Sequence, residues 1–307
     1  MIRYLARRIL WVLITLLCVS VITFTLVLSA PGDPARALAG SRADDLALSQ
    51  VRERYGLDQP IYIQYVRYMG RLLRGDLGYS YAYNRPVAEE LVDKLRPTAL
   101  LAFSIIVVAL LIGIPLGVFT AQRSQSKIGQ AVNIVGLMTI SIPAFVFGLL
   151  LIYVLGYSLR WFPIGGYGSI GHLVLPTLTV AIPWSVWYAN ILRTNLLSLA
   201  HSDFVRTAHA KGLPKRAVTL RHALPNALAP VLTMVSMDLA ALLTGLAIVE
   251  YVFNWPGVGW MAVRAALSRD IPVVMAAVLL GGLFIGLGNL AADLLVARLD
   301  PRVQLDN

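Results

Sequence analysis

The chain is poor in charge and almost without cysteine. A single cysteine, Cys18, lies inside an apolar run, so an intrachain disulfide and a cysteine-based metal site are both excluded. Only 14% of the 307 residues are charged while 58% are hydrophobic, and the mean hydropathy of +0.71 excludes disorder and an ordinary water-soluble enzyme. Acids are scarcer than bases, 16 against 26, and the resulting charge of +10 would point to nucleic acid in a soluble protein. No Gly-x-x-x-x-Gly-Lys-Ser/Thr phosphate loop is present: Gly166 to Gly171 has the spacing, but His172 replaces the lysine.

What is present is long apolar runs. A helix needs about 20 mostly apolar residues to cross hydrocarbon, because its backbone groups must be paired within the segment. Six stretches qualify: Ile9 to Ala30, one between Arg96 and Arg123, one in each of the charge-free intervals Ile128 to Leu159 and Trp161 to Leu192, Asn226 to about Val249, and Pro272 to about Ala292. An all-α membrane protein with six transmembrane helices is expected. The first run is longer than the core of a secretory signal, and Pro31 follows the only small-residue site, so it reads as a retained helix. Pro115, Pro143, Pro176 and Pro183 predict kinks inside the spans. Gly113 with Gly117, and Gly282 with Gly286, have the spacing that lets helices approach closely, though glycine is also simply common in membrane helices.

The charge excess then becomes a statement about topology. Arg3, Arg7, Arg8, Arg123, Lys127, Arg193, Arg206, Lys211, Lys215, Arg216, Arg221, Arg298 and Arg302 all fall on one side of a six-span arrangement, with only Asp203, Asp300 and Asp306 as acids. By the positive-inside rule that side is cytoplasmic and carries both termini. The other side has as many cations, but ten lie between Pro31 and Arg96, a segment above the roughly 60-residue length at which loop charge stops directing insertion. Glu250 and Asp270 count as acids of that outer side, and Asp238 and Asp293 lie within spans. Residues 1–30 are thus an N-terminal transmembrane helix, 31–97 an outer segment, 98–297 a core of five helices, and 298–307 a cytoplasmic tail.

The outer segment has turn signals at Pro31-Gly32-Asp33-Pro34 and Gly56-Leu57-Asp58-Gln59-Pro60, with helical stretches at Ala43 to Tyr55 and Ile61 to Leu73. It reads either as an amphipathic cap on the membrane or as a docking surface or lid. The inner loop 200–225 is more specific. Ser202 can cap a helix beginning at Asp203, Gly212 can provide a left-handed stop, and Pro214 can start a second short helix that ends at Leu224-Pro225. Thr207, Ala208, Ala210 and Gly212 are small residues at or near the bend, where another surface could approach the backbone. Taken alone, the loop could equally be a basic segment that only sets topology.

In this loop Thr207 and Ala208 are followed after three residues by Gly212, then nine residues, then His222-Ala223-Leu224-Pro225. It resembles the coupling motif of permease subunits of ATP-binding-cassette importers. Arg206 stands where the general motif has Glu, and His222 at a usually aliphatic position; an Arg-Thr-Ala start and a His-Ala-Leu-Pro ending look like the dipeptide and oligopeptide branch. The resemblance continues through Pro31-Gly32-Asp33-Pro34, Tyr55 to Pro60, Gly75 to Ser80, Pro86-Val87, Leu95-Arg96-Pro97-Thr98, Ser141-Ile142-Pro143-Ala144-Phe145, Glu250 to Gly259, Arg269-Asp270-Ile271-Pro272 and Asp300-Pro301-Arg302. It covers nearly the whole chain and is similar to the first permease subunit of a dipeptide-type importer, with a type I importer permease fold. The resemblance implies a non-enzymatic half of a translocation pathway in a bacterial inner membrane. It implies a second permease chain, two ATPase subunits or domains that bind ATP and Mg, and an extracytoplasmic solute-binding protein, with no cofactor and no nucleic acid for this chain. It implies ATPase coupling through Asp203, Arg206, Thr207, Ala208, Lys211, Gly212, Leu213, Pro214, Leu224 and Pro225. The branch also includes nickel, glutathione and haem systems.

A carboxylate at mid-membrane costs roughly 2.5–3.5 kcal/mol even on the lenient insertion scale, so Asp238 should face the bundle interior or a wet cavity. It reads as a pathway residue for a cationic group, or as a structural partner of Ser236, Thr244 or a neighbouring helix. Asp293 reads as paired with a nearby cation. Trp184, Trp187 and Tyr188 are further pathway candidates, whereas Tyr153, Tyr157, Trp161 and Phe162 read as an interfacial belt. Ser169 and His172 share a loop but lack a nucleophile elbow and an orienting acid, which argues against a hydrolase. His201, His209 and His222 lack ligand spacing. A secondary carrier driven by an ion gradient remains the rival, but such carriers usually show two repeated halves, and none is visible here.

Overall fold

The computed structural model describes residues 2–29, 35–36, 43–80 and 82–299. The turn expected at Pro31-Gly32-Asp33-Pro34 and the terminal Asp300-Pro301-Arg302 lie outside them. The described residues are helical, with one isolated bridge, Tyr79 to Pro86, and no strand. Among the described residues four helices are long and apolar enough to cross a membrane, and six spans result if each of two bent pairs counts as one.

The four long helices are α1 (Ile2–Ser29), α4 (Val87–Gln122), α7 (Ile170–Leu199) and α14 (Ile271–Leu299). Between α1 and α4 come α2 (Asp45–Tyr55) and α3 (Ile61–Leu72), as the turn signals predicted. Asp44 caps α2 by accepting from Ala47 N–H at 2.9 Å, and Gly56 ends it with φ +65°. Pro176 and Pro183 stay inside α7 without ending it.

Pro143 does more than kink. The charge-free interval Ile128 to Leu159, expected to hold one span, is divided into α5 (Lys127–Ser141) and α6 (Ala144–Leu151), and α6 continues as a π-helix over Ile152–Ser158; the two halves are bent by 103°. Proline excludes its predecessor from helical backbone, and Ile142 is extended at φ −82°, ψ 126°. The fifth span also ends early. Its helix α11 (Ala229–Leu243) stops at Gly245, whose φ of +95° interrupts the run before the short α12 (Ala247–Val252). A last short helix, α13 (Val258–Ser268), precedes α14.

The chain folds as two compact units that do not follow its order. The first comprises Met1–Ala99, Ala241–Tyr251 and Pro256–Leu287. One of its cores gathers Val87, Leu91, Val258, Met261, Val273 and Ala276; another joins Phe24, Tyr68, Ile271 and Met275. Ser20 and Tyr65 share a hydroxyl hydrogen bond of 2.7 Å that ties α1 to α3. The second unit comprises Leu100–Ala240, Val252–Trp255 and Gly288–Asn307. Here Gly113 and Gly117 do what their spacing foretold: a Cβ on either would lie 2.7 Å from Ser185 O or 2.9 Å from Ala189 O, so only glycine allows α4 and α7 this close.

Candidate functional site

The loop 200–225 follows directly from its residue types. Helix α8 (Asp203–Ala210) begins after Ser202, which has the extended backbone of an N-cap. The expected side-chain cap is not made: Ser202 Oγ donates to Leu199 O at 2.6 Å, which locks the preceding turn instead. At the other end, Leu213 N–H reaches back to Ala208 O and Gly212 N–H to His209 O, while Gly212 has φ +78°. These bonds form a Schellman stop, which requires a left-handed residue and explains the glycine.

Pro214 then starts α9 (Lys215–Ala217), followed by a π-helix over Val218–Ala223 and by α10 (Leu224–Ala227). The second helix therefore does not end at Leu224-Pro225. Proline lacks an N–H and crowds the carbonyl four residues back, and the wider π turn immediately before it absorbs both defects. The chain bends by 45° only after Ala227, where α11 begins.

Burial divides the loop into two faces. Val205, Ala208, Val218 and Ala223 are buried and pack α8 against the π segment. Ala208 thus faces inward, contrary to its expected place on an open bend, because it lies on the same helical face as Val205. Arg206, Thr207, Lys211, Gly212, Leu213, Pro214, Lys215, Arg216 and Pro225 are exposed, and Leu224 is intermediate. A Cβ on Gly212 would meet nothing within 4 Å. Asp203 and Arg206 approach to 3.7 Å, an exposed pair of little energetic weight.

The other candidates converge within the second unit. Tyr188 donates its hydroxyl to Asp238 Oδ2 at 2.8 Å, so the neighbouring helix, rather than Ser236 or Thr244, partners the acid. Ser236 and Thr244 bond to carbonyls of their own turn. Asp238, Trp184 and Trp187 line one cavity of about 550 Å³ together with Pro143 and Met234. Two apolar indoles and one half-buried carboxylate around that volume can accommodate a small organic cation. The break at Pro143, invisible as a wall element in the sequence, lines the cavity through Ile142, Pro143 and Ala144. Tyr153, Tyr157 and Trp161 are exposed, with the two tyrosine rings stacked at 6.0 Å. Ser169 Oγ and His172 Nδ1 lie 2.8 Å apart at the start of α7, and no acid completes a triad there among the described residues.

Sequence reasoning missed a buried polar node in the first unit. Glu250, counted as an outer-side charge, is fully buried. Its carboxyl accepts from Thr98 Oγ1–H at 2.8 Å and from Trp260 N–H at 2.9 Å, while Thr98 Oγ1 accepts from Val258 N–H at 2.8 Å. The pair therefore caps two orphan amides at the start of α13 from a distance. Burial pushes the Glu250 carboxyl above its ordinary range, and its hydrogen bonds from Trp260, Thr98 and Gly259 pull the other way. Asp270, the other outer acid, is also fully buried and accepts from Ser80 Oγ at 2.5 Å and Ala82 N–H at 2.9 Å. These two nodes physically join short motifs that are far apart in sequence, Pro97-Thr98 with Glu250 to Gly259, and Gly75 to Ser80 with Arg269 to Pro272.

Comparison with known proteins is consistent across the chain. Residues 113–305 match the family described as binding-protein-dependent transport system inner membrane component, and residues 1–102 match the N-terminal model of such membrane components. A glutathione transport system permease protein, GsiC, of Salmonella paratyphi A is 38% identical over 307 residues, covering 99% of both chains. An oligopeptide transport system permease protein, AppB, of Bacillus subtilis is 36% identical over 312 residues, covering 98% of this chain and 99% of its own. The MetNI methionine ABC transporter in an inward-facing form superposes with a TM-score of 0.59 over 68% of this chain and 96% of that one, at 18% identity, and so shares the fold. The chain is a multi-pass membrane protein that belongs to the binding-protein-dependent transport system inner membrane components, the permease subunits of ATP-binding-cassette importers.

Proposed function

We propose that this chain forms half of the translocation pathway for di- or oligopeptides, a class that takes in small peptides such as glutathione. Its partners on this reading are a second, homologous permease chain, two ATPase subunits or domains that bind ATP and Mg, and an extracytoplasmic solute-binding protein. Both termini and the loop 200–225 face the cytoplasm on this reading, which the excess of Lys and Arg on that side supports.

The loop docks on the ATPase through Asp203, Arg206, Thr207, Lys211, Gly212, Leu213, Pro214 and Pro225, while the buried Ala208 and the half-buried Leu224 support it from its inner face. The observation that carries this reading is the Schellman stop at Gly212: it presents an open, exposed turn on a helix pair whose inner face is buried, so a push on the turn moves the helices as a body. Asp238, Trp184 and Trp187 line the substrate path, with the carboxylate meeting a peptide's amino group. The cargo class is supported by the names of the relatives, one a glutathione and one an oligopeptide permease.

The test is reconstitution. The chain with its partner permease, ATPases and binding protein should take up labelled dipeptide or glutathione only with ATP, and nickel and haem should not compete. Uptake by the chain alone on an ion gradient would refute the importer reading in favour of a secondary carrier. Competition by nickel or haem would move the cargo within the same family.

A further inference from the structure

The first unit holds a cavity of about 500 Å³ between the end of α1 and helix α3, to which the proposed function assigns no role. Its floor is apolar, from Phe24 and Leu28 in the last two turns of the first span. Its rim carries Arg67, Arg71 and Arg74, at i, i+4 and i+7 and so along one side of α3 and its following turn. None of the three has an ion-pair partner among the described residues. Asp76, the acid next along the chain, accepts from Gly78 N–H at 2.8 Å.

Two further features mark this as a built site. Tyr68 is 7% exposed and lines the cavity, yet its buried hydroxyl has no hydrogen-bond partner among the described residues. Burial pushes that phenol up to about 12, against a smaller opposing effect of Arg71, so it remains a donor. Gly70 also lines the cavity in mid-helix, and a Cβ there would meet nothing within 4 Å. Glycine in a helix interior costs about 0.5–1 kcal/mol relative to alanine, and no neighbouring atom requires it. It keeps the space between the arginines open.

The ligand must satisfy an unmet donor and three cations while covering apolar side chains at the membrane boundary. α3 and the residue after it also expose an apolar stripe, Tyr62 (70%), Val66 (66%) and Leu73 (82%), on a different side of the helix from the arginines. A helix with an exposed apolar stripe and a separate cationic side suits the level of lipid headgroups. A phosphodiester answers the arginines and the phenol, and an acyl chain answers Phe24 and Leu28. We propose that this cavity binds the headgroup of an anionic phospholipid, with its phosphate among Arg67, Tyr68, Arg71 and Arg74.

The test uses the full chain in its assembled transporter, delipidated and exposed to phosphatidylcholine nanodiscs containing increasing phosphatidylglycerol, with retained lipid read by native mass spectrometry. Phosphatidylglycerol should be retained in preference to phosphatidylcholine. Its apparent dissociation constant should rise on the order of hundredfold when Arg67, Arg71 and Arg74 all become Gln, the worth of three arginines near a headgroup. Tyr68→Phe and Gly70→Leu should each weaken retention several-fold. Gly70→Leu is the control against misfolding, because leucine is the better helix former and enters open space, so thermal stability should hold while lipid retention falls several-fold. Equal retention in all variants overturns the proposal. So does displacement of the lipid by inorganic phosphate at equal affinity, which would make this a free-anion site, or variants that lose affinity for the solute-binding protein while keeping their lipid. Transport is not the readout, so the result stands apart from the coupling assignment.

Discussion

A methyl group placed on Gly257 would sit 2.3 Å from Thr98 Oγ1 and 2.5 Å from the Glu250 carboxyl, whereas one placed on Gly212 would meet nothing within 4 Å. Gly257 is held by what surrounds it, and Gly212 by its own left-handed backbone, at φ +78°. Around Gly257 the fold has already satisfied every polar group of a buried node. Around Gly212 it has arranged only the turn and left the outer face bare. The first pattern suits a part that must stay still; on the coupling reading proposed above, the second suits one that receives a partner surface.

The comparison breaks most easily at the buried node. Glu250→Leu leaves Trp260 N–H and Thr98 Oγ1–H unpaired away from water, which should cost on the order of 4 kcal/mol. Thermal unfolding of the purified complex checks this, and a change within experimental error would mean that the node is not structural. Gly257→Ala should cost about 1–3 kcal/mol, since neither Thr98 nor the carboxyl can retreat without breaking its bonds. Gly212→Val separates the two regions in the opposite sense. Its left-handed backbone adds about 1–2 kcal/mol of local strain. On the coupling reading, ATP hydrolysis should then continue while uptake fails; normal uptake would withdraw the docking assignment.

Asp238→Asn should leave stability nearly unchanged, because the amide oxygen still accepts from Tyr188. Uptake of cationic substrates should fall more than that of neutral ones, and equal uptake of both would remove Asp238 from the path. The smallest expected effect is a pH dependence. The Glu250 carboxyl is raised above 4.5 by burial, so the folded state holds a proton that the unfolded chain releases. That contribution is present at acid pH and is lost as pH rises through the raised value. Melting temperatures across this range should show the loss in the native protein and a flatter profile in Glu250→Gln.

Much of the loop 200–225 is legible in the sequence because its signals are local. Asp203 at a helix start, Gly212 at a left-handed stop and Pro214 after it each act within a few residues. The end of the second helix was misplaced at Leu224-Pro225 because proline usually breaks a helix, and a π turn that accommodates it has no clear mark in one sequence. Pro143 was underestimated for the converse reason: the charge-free run around it looks continuous, and only the extended Ile142 shows that the chain turns there. Ala208 was read as open because small residues suit a bend, while its face of α8 depends on what Val218 and Ala223 bring beneath it.

Composition and pattern alone determined that the chain is a helical membrane protein, which residues form the loop 200–225, and where that loop must turn. Those properties follow from hydrocarbon length and from backbone sterics, which act along a short stretch of chain. Tertiary structure decided the fate of the scarce acids. Glu250 finds Thr98 across 152 residues, Asp270 finds Ser80 across 190, and Asp238 finds Tyr188 across 50. A carboxyl's cost depends on burial and on the donors around it, and neither exists until distant segments have packed.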